Sequence, residues 1–304
     1  MTVTGFEKQP TLRRLDMKVI QARLEASPRL PSLRTIDSAL RELLNADQRY
    51  TQQIADIIRR DPSLTARLLR LVNSVYYGLS TPVNNLEEAV LYLGLRQIRQ
   101  LVMATPILED FQKLTSRSRF SWPAFWQHCI GTAILTREVM SSLHQPSDET
   151  DYVAGLMHDV GKIAMAHAFP DYFHAIYEQG EVSGEELLRS EEELLGVNHA
   201  ELGAMFLQLY NLPEVLVNAA RYHHTPEAAA SHAQLVAAVQ IADLLMRHAK
   251  IGKSGSPGEI TEADWVNATG WGILFPRGEQ ERAIAQIALK RSIERLPMLL
   301  EGLV

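Results

Sequence analysis

Cysteine is almost missing from this chain: Cys129 is the only one among 304 residues. No internal disulfide can form, and a reducing compartment is expected. A basic excess is missing too, since 30 Lys and Arg face 36 Asp and Glu for a net charge of −6. That excludes a broad electrostatic footprint for nucleic acid or an anionic membrane. No apolar run approaches the ~20 residues of a membrane span, and MTVTGFEKQPTLRRLDMKVI lacks the charged-then-apolar layout of a signal peptide. These absences together lead to the expectation of a cytoplasmic protein. Sustained alternation of apolar and polar residues, fixed-period repeats and low-complexity segments are lacking as well.

What is present is helical periodicity. PSLRTIDSALRELLN sets Leu33, Ile36, Leu40, Leu43 and Leu44 on one stripe. TQQIADIIRRD offers Thr51 as a cap. DPSLTARLLRLVNSVYYG begins with Asp61 and Pro62 and stops at Gly78. NLEEAVLYLGLRQIRQLVMATPIL reads as two short helices broken near Gly94 and limited by Pro106. From Ser121 the helices lengthen and carry histidine. The Gly/Ser/Pro stretch KIGKSGSPGE at 250–259 is a natural boundary, followed by an amphipathic tail. The expected fold is all-α. It comprises an N-terminal extension (1–28), a module at 29–250 with halves at 29–117 and 118–250, and a helical appendix at 251–304.

Half of the ten histidines fall in one arrangement. In chain order come His128, the doublet His158–Asp159 inside GLMHDVGK, His199, the doublet His223–His224, and then Asp243, each on its own expected helix or helix end. The doublet at 158–159 lies among Val153, Leu156, Met157, Val160 and Ile163, where an unpartnered polar group costs roughly 2–7 kcal/mol. DETDYVAGLMHDVGKIAMAHAF reads as helical through the doublet, whose neighbours would stand about 100° apart, and if the helix ends near Gly161 both side chains can face one pocket. Imidazole with carboxylate, and no cysteine in the set, suits iron, manganese, nickel or zinc.

This order of residues resembles the HD superfamily of metal-dependent phosphohydrolases, and HDVGK is close to the form in its HD-GYP branch. The resemblance implies His128, His158, Asp159 and Asp243 as ligands of one divalent ion. It implies His199, His223 and His224 as completing a second site, and Lys162 as the basic group near a substrate phosphate. In an enzyme of this kind Lys162 and Asp159 would be the catalytic pair. Two departures stand out. No Gly-Tyr-Pro loop follows His223–His224, which run into TPEAAASHAQ nineteen positions before Asp243. Ala124 stands where some relatives carry a further carboxylate. The missing loop counts against cyclic di-GMP hydrolysis.

The first half is similar to the HDOD domain, the HD-related output domain of bacterial signalling proteins. The likeness rests on its Leu-Pro entry, the DPxLxxxLLxxxNS pattern at Asp61–Ser74 and the AxxxLG pattern at Ala89–Gly94. It implies an HD-like multi-helix bundle serving as a regulatory module. Such a module would act on an unidentified signalling protein, with no nucleic-acid or membrane partner, around one or two divalent ions or none. The alternative it implies is a phosphohydrolase.

Plainer structural readings stand beside these. The doublet at 158–159 could bond to backbone at a helix end, His128 among Trp122, Phe125 and Trp126 could be a core histidine, and His223–His224 could cap a C-terminal turn. Lys162 could be a helix-end cation, and Arg96 and Arg99 a solvated face. Asn73 and Ser74 read as bonding to a neighbouring helix end, and Cys129 as inert packing. His144, His167, His174, His232 and His248 are assigned to surface or loop. The tail stripe Ile284, Ile287 and Ala288 is expected to dock on the chain's own core or on a second subunit.

Overall fold

A computed structural model describes residues 12–27, 58, 69, 72, 81–92, 94, 120–143, 150–177, 184–210, 212–256 and 258–301. The expected helix at 31–45, that at 51–61 apart from Ile58, almost all of Asp61–Ser74, Gly78, Arg96, Arg99, Pro106 and His144 lie outside the described residues. Among the described residues every regular element is helical. No described helix is long and apolar enough to cross a membrane.

Twelve described helices are labelled here. They are α1 (Met17–Ala26), α2 (Trp122–Ser141), α3 (Thr150–Met157), α4 (Val160–Ala168), α5 (Pro170–Tyr177) and α6 (Gly184–Leu194). Next come α7 (His199–Leu209), α8 (Glu214–Tyr222), α9 (Ala233–His248), α10 (Glu262–Val266), α11 (Gly270–Leu274) and α12 (Glu279–Glu301). Residues 86–92 are also helical, and Asn85 accepts from the Glu88 amide at 2.7 Å at their start.

The centre of the bundle is α9. Leu235 to Asp243 are buried without interruption, with Leu245 and Met246 beyond them, the pattern of a helix covered on all sides. It packs on α2, α3, α8, α10 and α11, while α2 also receives α3 and α12. The start of α2 is held by an aromatic cluster: Trp122 stacks on Phe173 of α5 at 5.6 Å, and Phe120 meets Phe173 and Tyr177 edge-on. Full burial of such rings is worth roughly 2–3 kcal/mol apiece. Asp16 caps α1 by accepting from the Val19 amide at 2.9 Å. The segment before it is tied down where Leu15 N donates to Leu195 O and Tyr172 donates to Arg13 O.

Two differences from the sequence reading follow from packing. The helix expected to run through 158–159 is interrupted there: α3 ends at Met157 and α4 begins at Val160, with Asp159 at φ −95°, ψ 14°. Gly161, expected near a helix end, instead lies in the first turn of α4, where it crosses α7. A Cβ on Gly161 would land on the His199 carbonyl and 2.6 Å from the Gly203 amide nitrogen, so only glycine permits that approach.

The second difference is in the tail, where the stripe at Ile284, Ile287 and Ala288 does not take the first of its two expected places, the chain's own core. Ile284, Ile287 and Ala288 all face outward, with the two isoleucines 67% and 55% exposed. The docking stripe of α12 is instead Ala285, Leu289, Leu296 and Leu300. It lies on the α2 side of the bundle, where Leu296 comes within reach of Gly131.

Candidate metal centre

Six helices deliver the histidines and acids to one point. His128 comes from the second turn of α2, the His158–Asp159 doublet from the α3–α4 break, and His199 from the first position of α7. His223 and His224 form the turn that ends α8, and Asp243 projects from α9. The break at 158–159 answers how two adjacent side chains can share a pocket. On a continuous helix they would diverge by about 100°, whereas in the turn both face inward. Asn198 caps α7 through the Glu201 amide at 3.0 Å, which sets the direction in which His199 leaves its helix.

All the sequence-predicted site residues are buried except His224, which is partly exposed. His128 Nε2 lies 3.0 Å from Asp243 Oδ1, and His158 Nε2 lies 3.4 Å from Asp159 Oδ2. Asp159 Oδ1 faces the other way, 3.2 Å from His199 Nε2 and 3.8 Å from His223 Nε2. His224 Nε2 is 3.0 Å from His199 Nε2. One carboxylate therefore stands between two groups of imidazoles, and two triads of donor atoms close to metal-binding spacing result: His128, His158 and Asp159, and His199, His223 and His224. Lys162 Nζ sits 2.7 Å from Asp159 Oδ2 and 3.3 Å from Ser256 Oγ.

The far side of each ring decides its protonation. His158 Nδ1 donates to Gly155 O at 2.7 Å and His223 Nδ1 donates to Ala220 O at 2.8 Å, because a carbonyl only accepts. His199 Nδ1 meets Glu191 at 2.8 and 3.0 Å, and a carboxylate likewise only accepts. In the neutral rings all three Nε2 atoms then carry bare lone pairs aimed at carboxylate oxygens. Among the described residues, His128 Nε2, His158 Nε2, His223 Nε2 and Asp159 Oδ1 are buried and have no hydrogen-bond partner. Acceptor facing acceptor in a dry interior is unfavourable unless a cation lies between them. Donor atoms sharing one first-row ion at about 2.1 Å stand roughly 3 Å apart, and the separations of 3.0, 3.2 and 3.4 Å match that. The donor set fits a divalent ion of the imidazole-and-carboxylate kind.

Electrostatics divide the rings. Burial alone would push the Asp159 carboxyl up, but Lys162 and His158 outweigh it and hold it well below the usual range. Asp243 is likewise held down against burial, by His128 and Arg247. Burial takes the His223 imidazole down to about 3, with His158 adding to the effect, and it lowers His128 and His224 too. For His158 and His199 burial is outweighed by Asp159 and Glu191 respectively, so both are raised. The pocket thus contains neutral imidazoles beside ionised carboxylates, with two rings drawn towards positive charge.

The remaining assignments fall out as follows. Cys129 is buried and its thiol is pushed up by burial. His174 and His232 are exposed, whereas His167 and His248 are half-buried, the latter bonding through Nδ1 to Ile260 O. Four site residues escaped the sequence reading: Glu191 behind His199, Arg247 3.7 Å from Asp243, Ser256 beside Lys162, and Gln240, which donates to His224 O at 3.3 Å. Gly252, Lys253 and Ser256 also close on the site. Gly252, at φ +69°, sits so near the His128 amide that no Cβ would fit, and Lys253 N donates to Ala124 O at 2.8 Å.

A family model, that of the HDOD domain, matches residues 30–226. The chain belongs to the HDOD family. An HDOD domain protein with unknown function from Geobacter sulfurreducens superposes with a TM-score of 0.77 at 24% identity, over 95% of this chain and 99% of its own. A provisionally assigned phosphohydrolase from Shewanella amazonensis SB2B gives 0.67 at 22% identity, over 94% and 98%. At these identities the likeness establishes the all-helical HDOD fold. An uncharacterised protein of Treponema pallidum (strain Nichols) is 26% identical over 247 residues, 77% of this chain, and the chain spans about half (46%) of that relative's length.

Proposed function

We propose that this HDOD chain is a regulatory output module built around a buried divalent-metal centre, and that it acts through a protein partner. The observation that supports it most is the convergence of unpartnered imidazole nitrogens on Asp159 inside the bundle. His128, His158, Asp159 and Asp243 would hold one ion, and His199, His223 and His224 with Asp159 Oδ1 a second. Iron, manganese, nickel and zinc all suit these donors. Depth favours a structural or sensory role: the carboxylates and all these rings but His224 are within 4% of full burial. An ion at this point ties α2, the α3–α4 turn, α7, α8 and α9 together, so its loss or exchange would be felt on the bundle surface. The outward Ile284 and Ile287 on α12 supply apolar surface of the kind a partner covers.

A second reading, a metal-dependent phosphohydrolase, is favoured by Lys162. Its Nζ lies beside Asp159, where it would meet the negative charge of a phosphoryl group. A bound divalent ion supplies Lewis acidity and a nucleophile at neutral pH. Asp159 would help hold the ion, Lys162 would hold phosphate oxygens, and Ser256 would orient Lys162.

Elemental analysis of tag-free protein beside a His158→Ala, Asp159→Ala double variant tests the centre. One or two equivalents of a first-row metal, lost in the variant, are expected. Metal-free wild type that takes up nothing when metals are added back would overturn both readings. Turnover of phosphodiester or nucleotide substrates by the loaded protein would replace the first reading with the second.

A further inference from the structure

Glu191 is fully buried, yet it belongs to no metal triad. Its carboxylate grips His199 twice: Oε2 accepts from the His199 backbone amide at 2.8 Å, and both oxygens lie within 3.0 Å of Nδ1. On the far side Tyr177 donates its hydroxyl to Oε1. Tyr177, Glu191 and His199 therefore form one chain of hydrogen bonds that ends at His199 Nε2. That atom faces Asp159 Oδ1 at 3.2 Å and His224 Nε2 at 3.0 Å.

The local charges single out this end of the pocket. Asp159 has Lys162 at 2.7 Å and Asp243 has Arg247 at 3.7 Å. Among the described residues the one ion pair of Glu191 is with the His199 ring. A buried carboxylate held by the His199 ring and amide and by a phenol, with no ion pair to Lys or Arg among the described residues, gives the His199 side a charge that the His128 side lacks. It also presses the His199 proton onto Nδ1 and makes Nε2 a better donor, the role a carboxylate plays behind a ligating histidine.

We propose that Glu191, seconded by Tyr177, is the positioning residue of a second cation position formed by His199, His223, His224 and Asp159 Oδ1, and that it decides whether that position fills. This rests on the metal reading above and adds to it that the two positions are controlled separately. Among the described residues the hydrogen bonds and ion pair of Glu191 run to His199 and Tyr177 and to none of His128, His158 and Asp243. The second position loses its orienting anion when Glu191 is neutralised.

The test uses manganese(II) alone, titrated calorimetrically into metal-stripped full-length chain, for wild type, Glu191→Gln, Glu191→Asp and Tyr177→Phe. Wild type is expected to take two equivalents. Glu191→Gln should keep the first and weaken the second by about 10–100-fold, with a smaller loss in Tyr177→Phe and partial recovery in Glu191→Asp. In parallel, nitrogen-15 shifts of the His199 ring in the stripped protein report the tautomer, which a packing role would leave alone. They should show Nδ1–H in wild type and a mixture in Glu191→Gln. Two equivalents of unchanged affinity in a folded Glu191→Gln would overturn the proposal and leave the metal centre standing, as would a single equivalent in wild type. No uptake by wild type would overturn the centre and this inference with it.

Discussion

Lys162 Nζ and Asp159 Oδ2 form a 2.7 Å ion pair in which both side chains are almost wholly excluded from solvent. The aspartate thus has a tethered cation on one oxygen, while the other faces His199 and His223. Breaking such a pair from one side leaves a buried charge and costs about 3–5 kcal/mol. Lys162→Met should lower the melting midpoint of metal-stripped protein sharply. Saturating manganese(II) should recover part of that loss, because an ion at the centre neutralises the same carboxylate. Differential scanning calorimetry with and without metal checks this, and equal losses in both states would refute it.

Metal removal should itself be visible in stability. An ion that binds only the folded chain contributes about 2.7 kcal/mol at a hundred times its dissociation constant. Dialysis against a chelator should therefore lower the thermal midpoint by several degrees, and the His158→Ala, Asp159→Ala variant should not respond to the chelator.

The crossing of α4 over α7 rests on Gly161. Gly161→Ala should cost more than about 2 kcal/mol, since the new methyl overlaps the His199 backbone and one helix must move. Metal uptake should fall with it. Gly272 in α11, whose Cβ would meet nothing, is the control: Gly272→Ala should be neutral or stabilise by up to about 1 kcal/mol. Urea unfolding of both variants decides the matter.

On α12, Leu289→Ala should cost about 2–4 kcal/mol as a buried docking residue. An Ile284→Lys, Ile287→Lys double variant should change stability by less than about 0.5 kcal/mol. The reverse order would show that the helix docks by its other face.

A pH effect is expected away from the centre, at Glu138 of α2. Burial raises its carboxyl above the ordinary 4.5, and Ser292, Arg137 and Arg295 do not fully offset this. The folded state therefore holds this proton more tightly than the unfolded chain. Its contribution is fully present below 4.5 and is lost as pH rises through the folded value. Glu138→Gln, which mimics the protonated acid, should raise the melting midpoint at pH 7, and the difference should vanish near pH 4.

The centre was legible in the primary structure where polar groups interrupt apolar helices. His128, His158, Asp159, His199 and Asp243 each stand out because burial without a partner is expensive. Glu191 was not legible, since it begins the acidic run Glu191–Glu192–Glu193, which reads as a solvated helix face. A signal did exist: Glu191 lies four residues from both Leu187 and Leu195, on the buried stripe. On the tail, Ile284, Ile287 and Ala288 make as good a helical stripe as Ala285, Leu289 and Leu296, and spacing cannot choose between two parallel stripes.

By itself the amino-acid order determined the helical class, the HDOD signatures and the list of ligand-type residues. These depend on local periodicity and on the intrinsic cost of burying a polar side chain, both of which are properties of short segments. Only the tertiary structure decided that the chain breaks at 158–159, that Gly161 admits α7, that Glu191 turns inward behind His199, and that Gly252 and Lys253 close over the start of α2 beside His128. Each of those depends on which backbone approaches which at a few ångströms. That distance is set by the packing of helices far apart in the chain, and no local pattern encodes it.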